Sequence, residues 1–505
     1  MKKNGTIVAS MLMIANFFVK IFGLLREILL AQFYGTSIYT DAYIVANNIP
    51  SVLFAAIGTS IATTFIPMYA RVLKENDEKR ANSFALHLIE CLLVICFILT
   101  FFGEIFINDF VLLFASGFKN EQLSLAISFS RVLFPSIFGL ALLNVLGAYL
   151  QQHGKFVPIA IVPLIGNVLI IISLFVSNAL GNINILVWGT LLGNIFQVLF
   201  YIPWVVKSGI FGRSRESLLH DKYLLLLLGI IIPVFIGEAV NEINSIVDRT
   251  LVSGLDVGSV SALNYAYKII NLVIGVFVAS IGTVVFPKLS KLSVEKDTEG
   301  LMKYGTNTVV IMMMVLAPIA VSLIVYRQEI VQLLFERGAF GARSSSLTSG
   351  AMACYAIGVI GMGARDVLTK IFYAKQKTKI PMFNGIFCAI ANIILDIIMI
   401  KKIGLYGAAL ATALVANIGC IILLLKATKL NFIDINRIKL PVFKICISSI
   451  ILVLVDLIAK YYVDIMFADE KYVHIMLCGI TGIIGVVIYF LFNHFLKNTS
   501  YLKNI

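Results

Sequence analysis

Fourteen apolar runs, separated by short polar breaks, make up nearly the whole of this chain. They lie at 6–33, 41–70, 83–107, 122–150, 157–178, 184–206, 223–252, 261–287, 304–326, 344–373, 380–400, 404–425, 441–463 and 472–496. About 20 apolar residues in a helix cross the hydrocarbon of a bilayer, so the longer runs are expected to tilt or to project beyond it. With 505 residues, only 13% of them charged, and a mean hydropathy of +0.97, the chain cannot cover a water-exposed surface. The first run is too long for a signal-peptide core and lacks a small-residue cleavage site, so it reads as a retained span. The expected class is an all-α polytopic membrane protein with about 14 transmembrane helices.

An internal repeat organises those spans. Arg26, Gly35 and Asp41 reappear as Arg249, Gly258 and Asn264, and Tyr149 and Pro158 as Phe372 and Pro381, every pair separated by one and the same displacement. The loop Leu112 to Phe118 (LLFASGF) likewise resembles Leu333 to Phe340 (LLFERGAF), at nearly that displacement. Two six-helix repeats follow, with helices thirteen and fourteen as an appendage: an N-lobe at 1–215, a C-lobe at 216–435 and the appendage at 436–505. The displacement carries helix one onto helix seven, so the copies share one orientation, and a binding cavity is expected between them.

Charge distribution sets the sidedness. With the N-terminus inside, the cytoplasmic segments hold 24 of the 40 Lys and Arg, the outer loops 7 and the spans 9. That bias predicts a multi-pass protein with both termini in the cytoplasm. The net charge of +13 resides largely in basic loops such as Arg71 to Arg80 and Lys288 to Lys303. These are expected to face anionic lipid headgroups, and no nucleic-acid partner is implied. The seven cysteines (Cys91, Cys96, Cys354, Cys388, Cys420, Cys446 and Cys478) sit singly in apolar runs and read as packing residues, implying neither disulfides nor zinc. The five histidines show no metal spacing, no Gly-x4-Gly-Lys-Ser/Thr loop is present, and the longest polar connection is about 16 residues. No catalytic residue is predicted, and a membrane glycosyltransferase is disfavoured.

Charges inside the spans mark the candidate site. An ionisable side chain in hydrocarbon costs roughly 2.5 kcal/mol or more and is seldom kept without use. Lys20, Arg26 and Glu27 in the first span, Asp41 opening the second, and Arg249 and Lys268 in the seventh and eighth are candidates for a cavity wall. The competing reading is salt bridging or snorkelling; Lys20 and Glu27, two turns apart, could share a helix face. Arg131, Arg365, Asp366 and Lys370 on helices four and ten suit gating or inter-lobe pairing as well as substrate contact. Asn167, near the start of helix five, is a candidate sugar contact. In helix eleven Asn392 and Asp396 are spaced i, i+4, and Thr412 and Asp248 add oxygen ligands, a set suited to a hard cation. An interhelical hydrogen-bond network is the alternative, and a proton could replace sodium at Asp396.

Gly23 to Asp41 (GLLREILLAQFYGTSIYTD), the run ending Phe65-Ile66-Pro67, Val247 to Lys268 (VDRTLVSGLDVGSVSALNYAYK) with Phe286-Pro287, and Phe335 to Phe340 (FERGAF) together resemble the bacterial lipid II flippases of the MurJ/MviN family. That family belongs to a larger superfamily of multidrug and oligosaccharidyl-lipid exporters, and the resemblance covers essentially the whole chain. It implies a secondary transporter of the bacterial cytoplasmic membrane that carries lipid II, the lipid-linked peptidoglycan precursor, from inner to outer leaflet by alternating access. The pyrophosphate headgroup would meet cavity cations while the polyprenyl tail stays in lipid. The implied substrate-binding set is Lys20, Arg26, Glu27, Asp41, Asn167 and Lys268. Lys20, Arg26 and Lys268 match the family's cavity cations; two of these are arginine in other members and lysine here, which keeps the charge and loses the bidentate fork. A further cavity arginine of some members is absent from Ser51-Val52-Leu53-Phe54. Asp248, Asn392, Asp396 and Thr412 match the sodium site of some members, with the carbonyl near Ala408 as fifth ligand. No cofactor beyond sodium or proton coupling is implied; membrane lipids are the expected surroundings and a monomer the expected state. The rivals are a flippase for another undecaprenyl-linked oligosaccharide and, less favoured, a multidrug exporter.

Overall fold

The computed structural model describes residues 2–211, 221–467, 470–496 and 498, with the side chains of all of these except 2–14, 56, 62, 63, 232–245 and 277–284. The described residues form eighteen α-helices and no strand. They are α1 (Lys2–Tyr34), α2 (Ile38–Glu75), α3 (Glu78–Ile105), α4 (Ile107–Phe114), α5 (Asn120–Leu133), α6 (Ser136–Gln152), α7 (Phe156–Leu180), α8 (Asn184–Lys207) and α9 (Lys222–Ser253), then α10 (Ser259–Val294), α11 (Thr298–Val325), α12 (Arg327–Leu334), α13 (Ala342–Ala356), α14 (Val359–Ala374), α15 (Lys379–Ile403), α16 (Leu405–Lys429), α17 (Ile435–Phe467) and α18 (Lys471–Phe495).

Among the described residues ten helices are long and apolar enough to cross a membrane, and two bent pairs, α5 with α6 and α13 with α14, raise the number to twelve. The two remaining expected spans coincide with α1 and α9, which are helical throughout; stretches 2–14 and 232–245 of their side chains lie outside the described residues. The protein is thus an all-α, multi-pass membrane protein, consistent with fourteen spans. Two helices escape the sequence reading. Residues 107–114 and 327–334, placed between expected spans, form α4 and α12, each of 8 residues. Their apolar stripe is too short to register as a span, so only the loop that follows each shows a pattern.

The repeat is visible in the backbone. Gly35 and Gly258 both adopt positive φ (+60° and +92°), as do Gly181 and Gly404 (+61° and +59°), and both pairs obey the displacement of the sequence repeat. A side chain at any of the four would be strained, and a Cβ on Gly258 would also meet the Thr36 carbonyl oxygen at 2.8 Å. Each copy also breaks one span by 44°, between α5 and α6 and between α13 and α14. The break falls at Pro135 in the first copy and at its repeat equivalent, Gly358, in the second. Proline blocks the helix by lacking its N–H. Glycine serves instead in the second copy, where a Cβ would lie 2.6 Å from Ala413 Cα on α16. One bend is thus reached by two local chemistries.

By packing, the chain forms two compact units, Met1–Ser261 and Ala262–Ile505. In the first, α2 packs on α5, α6 and α9, and α7 on α1 and α8. In the second, α16 packs on α13, α14 and α15, while α11 packs on α14 and α17. The appendage helices α17 and α18 pair with one another and close on α11 and α12 through Val325, Tyr326, Val463 and Cys478. The expected lobe boundary at 215/216 lies within 212–220, outside the described residues. α9 opens the second sequence copy yet packs in the first unit.

Candidate functional site

In the first unit α1 lies along α7, and this packing builds the arrangement around Arg26. Arg26 Nη2 donates to Glu27 Oε1 at 2.7 Å, and Nη1 donates to Asn167 Oδ1 at 3.2 Å. Asn167 Nδ2 donates in turn to the Val19 carbonyl at 3.5 Å. The Arg26 side chain keeps 26% of its surface exposed while that of Glu27 keeps 7%. A buried carboxylate and an amide therefore hold two edges of a planar cation, and its open remainder can take a further anion. Three of the expected substrate-binding residues, Arg26, Glu27 and Asn167, come together in this way.

Lys20 is half-buried on the same helix, with no hydrogen bond or ion pair to another described residue; Glu27 pairs with Arg26 and not with Lys20. Lys268 is half-buried on α10 in the second unit.

Asp41 has a different occupation. It is only 1% exposed, and its carboxylate accepts from Gly258 N at 2.7 Å, Ser261 N at 2.8 Å and Gln122 Nε2 at 3.2 Å. Two of these donors are backbone amides at the start of α10, where a carboxylate meets both orphan N–H groups and the positive end of the helix dipole. Asp41 thus acts as a cap brought from a distant helix.

Of the expected cation ligands, Asn392 and Asp396 are buried on α15, with Asn392 Nδ2 donating to Asp396 Oδ2 at 2.6 Å. On α16, which packs along α15, Thr412 Oγ1 donates to the Ala408 carbonyl at 3.1 Å. The ligand atoms on offer are oxygens, with Asn392 and Asp396 buried and Thr412 half-buried, which fits a hard cation. Asp248 lies on α9 in the first unit. Lys370 and Asp366 form an ion pair one turn apart on α14, so these two charges largely serve each other; Arg131 is exposed on α5.

One basic-loop expectation is corrected. Arg80, assigned to lipid headgroups, is only 4% exposed, and its guanidinium donates to Asp221 at 3.0 and 2.5 Å. His87 Nδ1 lies 2.7 Å from the same carboxylate, which also caps α9 through Tyr223 N and Leu224 N. Burial pushes the Asp221 pKa up, but the hydrogen bonds from Arg80 and His87 and the attraction of Arg80 outweigh it and hold the carboxyl below the usual carboxylate range. The signal in the sequence is the two-turn spacing of Arg80 and His87, which share a helix face, and an aspartate immediately before an apolar run. Asp456 also escapes the sequence reading: it is fully buried on α17, and neither carboxylate oxygen has a hydrogen-bond partner among the described residues.

A family model described as "Lipid II flippase MurJ" matches residues 30–482. A probable lipid II flippase MurJ of Rickettsia prowazekii (strain Madrid E) is 27% identical over 511 residues, covering 99% of this chain and 98% of its own length. The lipid II flippase MurJ of Thermosipho africanus (strain TCF52B) is 30% identical over 481 residues, covering 95% of this chain and 94% of its own. A solved lipid II flippase MurJ in an inward closed conformation superposes with a TM-score of 0.83 at 28% identity, over 96% of this chain and 99% of that one. An inward-facing multidrug resistance MATE transporter of the MOP superfamily superposes at 0.69 with 16% identity, over 82% and 94%, a likeness of fold alone.

Proposed function

This chain belongs to the lipid II flippase MurJ family, and from that membership we propose that it carries lipid II from the inner to the outer leaflet of the bacterial cytoplasmic membrane. The observation that supports a phosphate-bearing headgroup is the Arg26 guanidinium, held within the first span by Glu27 and Asn167 with part of its surface open. A multidrug exporter for apolar cations has no use for such a group, whereas a lipid-linked pyrophosphate offers oxygens that match its donors. Lys20, on the same helix, adds charge without the planar fork and acts as a movable point charge. Transport proceeds by alternating access, both termini face the cytoplasm, the chain works as a monomer, and no covalent chemistry is performed.

The test is complementation of a bacterium depleted of its own lipid II flippase, with outer-leaflet lipid II quantified. Growth with restored surface lipid II is the expected result. Failure despite confirmed membrane expression would transfer the reading to another undecaprenyl-linked oligosaccharide, with Ser51 to Phe54 as the first stretch to exchange.

A sodium ion supplies coupling energy in this reading. Asn392, Asp396, Thr412 and the Ala408 carbonyl, all on α15 and α16, would hold it. Asp396→Asn removes the negative charge with little change of shape, so flipping by this variant is expected to lose its dependence on sodium concentration. Flipping measured in vesicles across a sodium series decides the point, and an unchanged dependence removes the site.

A further inference from the structure

In the second unit, the C-terminal end of α17, the first two turns of α18 and the short α12 bring together Glu329, Asp464, His474 and Cys478. One ligand atom from each lies within 4.8 Å of all the others. We propose that these four side chains form a zinc site that ties the appendage hairpin to α12.

The donor set is the first argument. A carboxylate from α12, one from α17, and an imidazole and a thiol one helical turn apart on α18 give four ligands of the types that zinc takes tetrahedrally. Zinc bonded to such ligands sets its donor atoms roughly 3.3–3.8 Å apart, so the widest pairs need to contract by about 1 Å while the His474–Asp464 contact opens by less than that. His474 Nε2 already sits 2.6 Å from Asp464 Oδ1 and 4.0 Å from Cys478 Sγ. The imidazole therefore presents one nitrogen to both neighbours.

Glu329 supplies the second, independent argument. It is only 6% exposed, and although Oε1 pairs with Lys460 Nζ at 2.6 Å, Oε2 is buried with no hydrogen-bond partner among the described residues. A buried carboxylate oxygen without a donor is costly unless something else meets it.

Charge gives the third argument. Binding as thiolate, Cys478 releases its proton, and three anionic ligands around a dication leave one excess negative charge. Lys460 cancels it; its ammonium also donates to the Val325 carbonyl at 3.2 Å. Access is open, because the Asp464 side chain is 48% exposed while Glu329 and Cys478 line a cavity of about 370 Å³. Cysteine and histidine spacing along the sequence suggests no metal because two of the ligands come from other helices; the His474 and Cys478 pair at i, i+4 is the part the sequence does carry.

The purified full-length protein in detergent, stripped with chelator, tests the proposal. After incubation with zinc and desalting, about one equivalent of zinc per chain should remain bound, and Cys478→Ser and His474→Gln should each lower retention at least tenfold. Cobalt should give a thiolate-to-metal charge-transfer absorption that Cys478→Ser removes and Cys446→Ser, at an exposed cysteine, leaves intact. Asp464→Asn, at the exposed rim, should weaken binding at least tenfold while preserving the gel-filtration profile, which separates loss of a ligand from loss of fold. Zinc absent from the unsubstituted chain, or retained equally by the variants, would overturn the site.

Discussion

Replacing Arg26 by alanine is expected to reduce lipid II flipping to background while the protein still inserts and accumulates. Hydrogen bonds to charged groups contribute about 1.5–3 kcal/mol each, so losing a bidentate phosphate contact alone costs roughly two orders of magnitude or more in binding. The substitution does a second thing. Glu27, with 7% of its side chain exposed, loses the cation that pairs it at 2.7 Å. The site then changes from a nearly neutral pair to a net anion at the place proposed for the headgroup. Arg26→Lys should recover part of the activity, because charge returns and the fork does not. Glu27→Gln separates the two effects: it removes the competing carboxylate while Asn167 still holds one edge of the guanidinium, and should tighten headgroup binding. Flipping and lipid II binding measured across these three variants decide the matter. Full activity in Arg26→Ala would remove the cation from the mechanism.

How much of this site the sequence carries differs from residue to residue. Arg26 and Glu27 stand out because charge inside an apolar run has a cost that needs a reason. Asn167 is a weaker candidate, and only the packing of α1 on α7 shows why it is needed: it holds the other edge of the guanidinium. Asp41 is visible by the same argument from cost, yet its burial is compensated by the start of α10, more than two hundred positions further along the chain. No local pattern reveals a cap supplied from such a distance. The spans themselves are legible almost to their ends, since apolar length decides them. α4 and α12 are not legible, because so short an amphipathic stretch between spans looks like any polar connection. The 44° breaks are half legible: Pro135 announces one, whereas Gly358 is required by contact with α16 and gives no sign of it alone.

Asp221→Ala is expected to destabilise the protein by about 3–5 kcal/mol, the usual cost of removing one partner from a buried ion pair. Arg80 would remain 4% exposed without the carboxylate that takes two of its donors, His87 would lose its acceptor, and α9 would lose its N-cap. Tyr223 extends the same anchor: its ring lies 5.2 Å from the Arg80 guanidinium carbon, and its hydroxyl donates to Glu75 while accepting from Asn76. The entry to α9 is thereby fastened to the turn between α2 and α3. The pH dependence has a fixed sign. A carboxyl held below its ordinary range contributes stability in full above the unfolded pKa of about 3.9, and loses it only as pH falls through the lower folded value. Between about pH 5 and 8 Asp221 should therefore contribute a constant amount, and acid should weaken the native chain more than the alanine variant. Replacing Arg80 and Asp221 together by leucine should recover part of the loss, since an apolar pair avoids the desolvation that the ions incur while the cap of α9 and the acceptor of His87 stay lost. Thermal unfolding of the three proteins in detergent, repeated from neutral to acid pH, measures both effects. If Asp221→Ala melts with the native chain at neutral pH, the anchor does not hold α9.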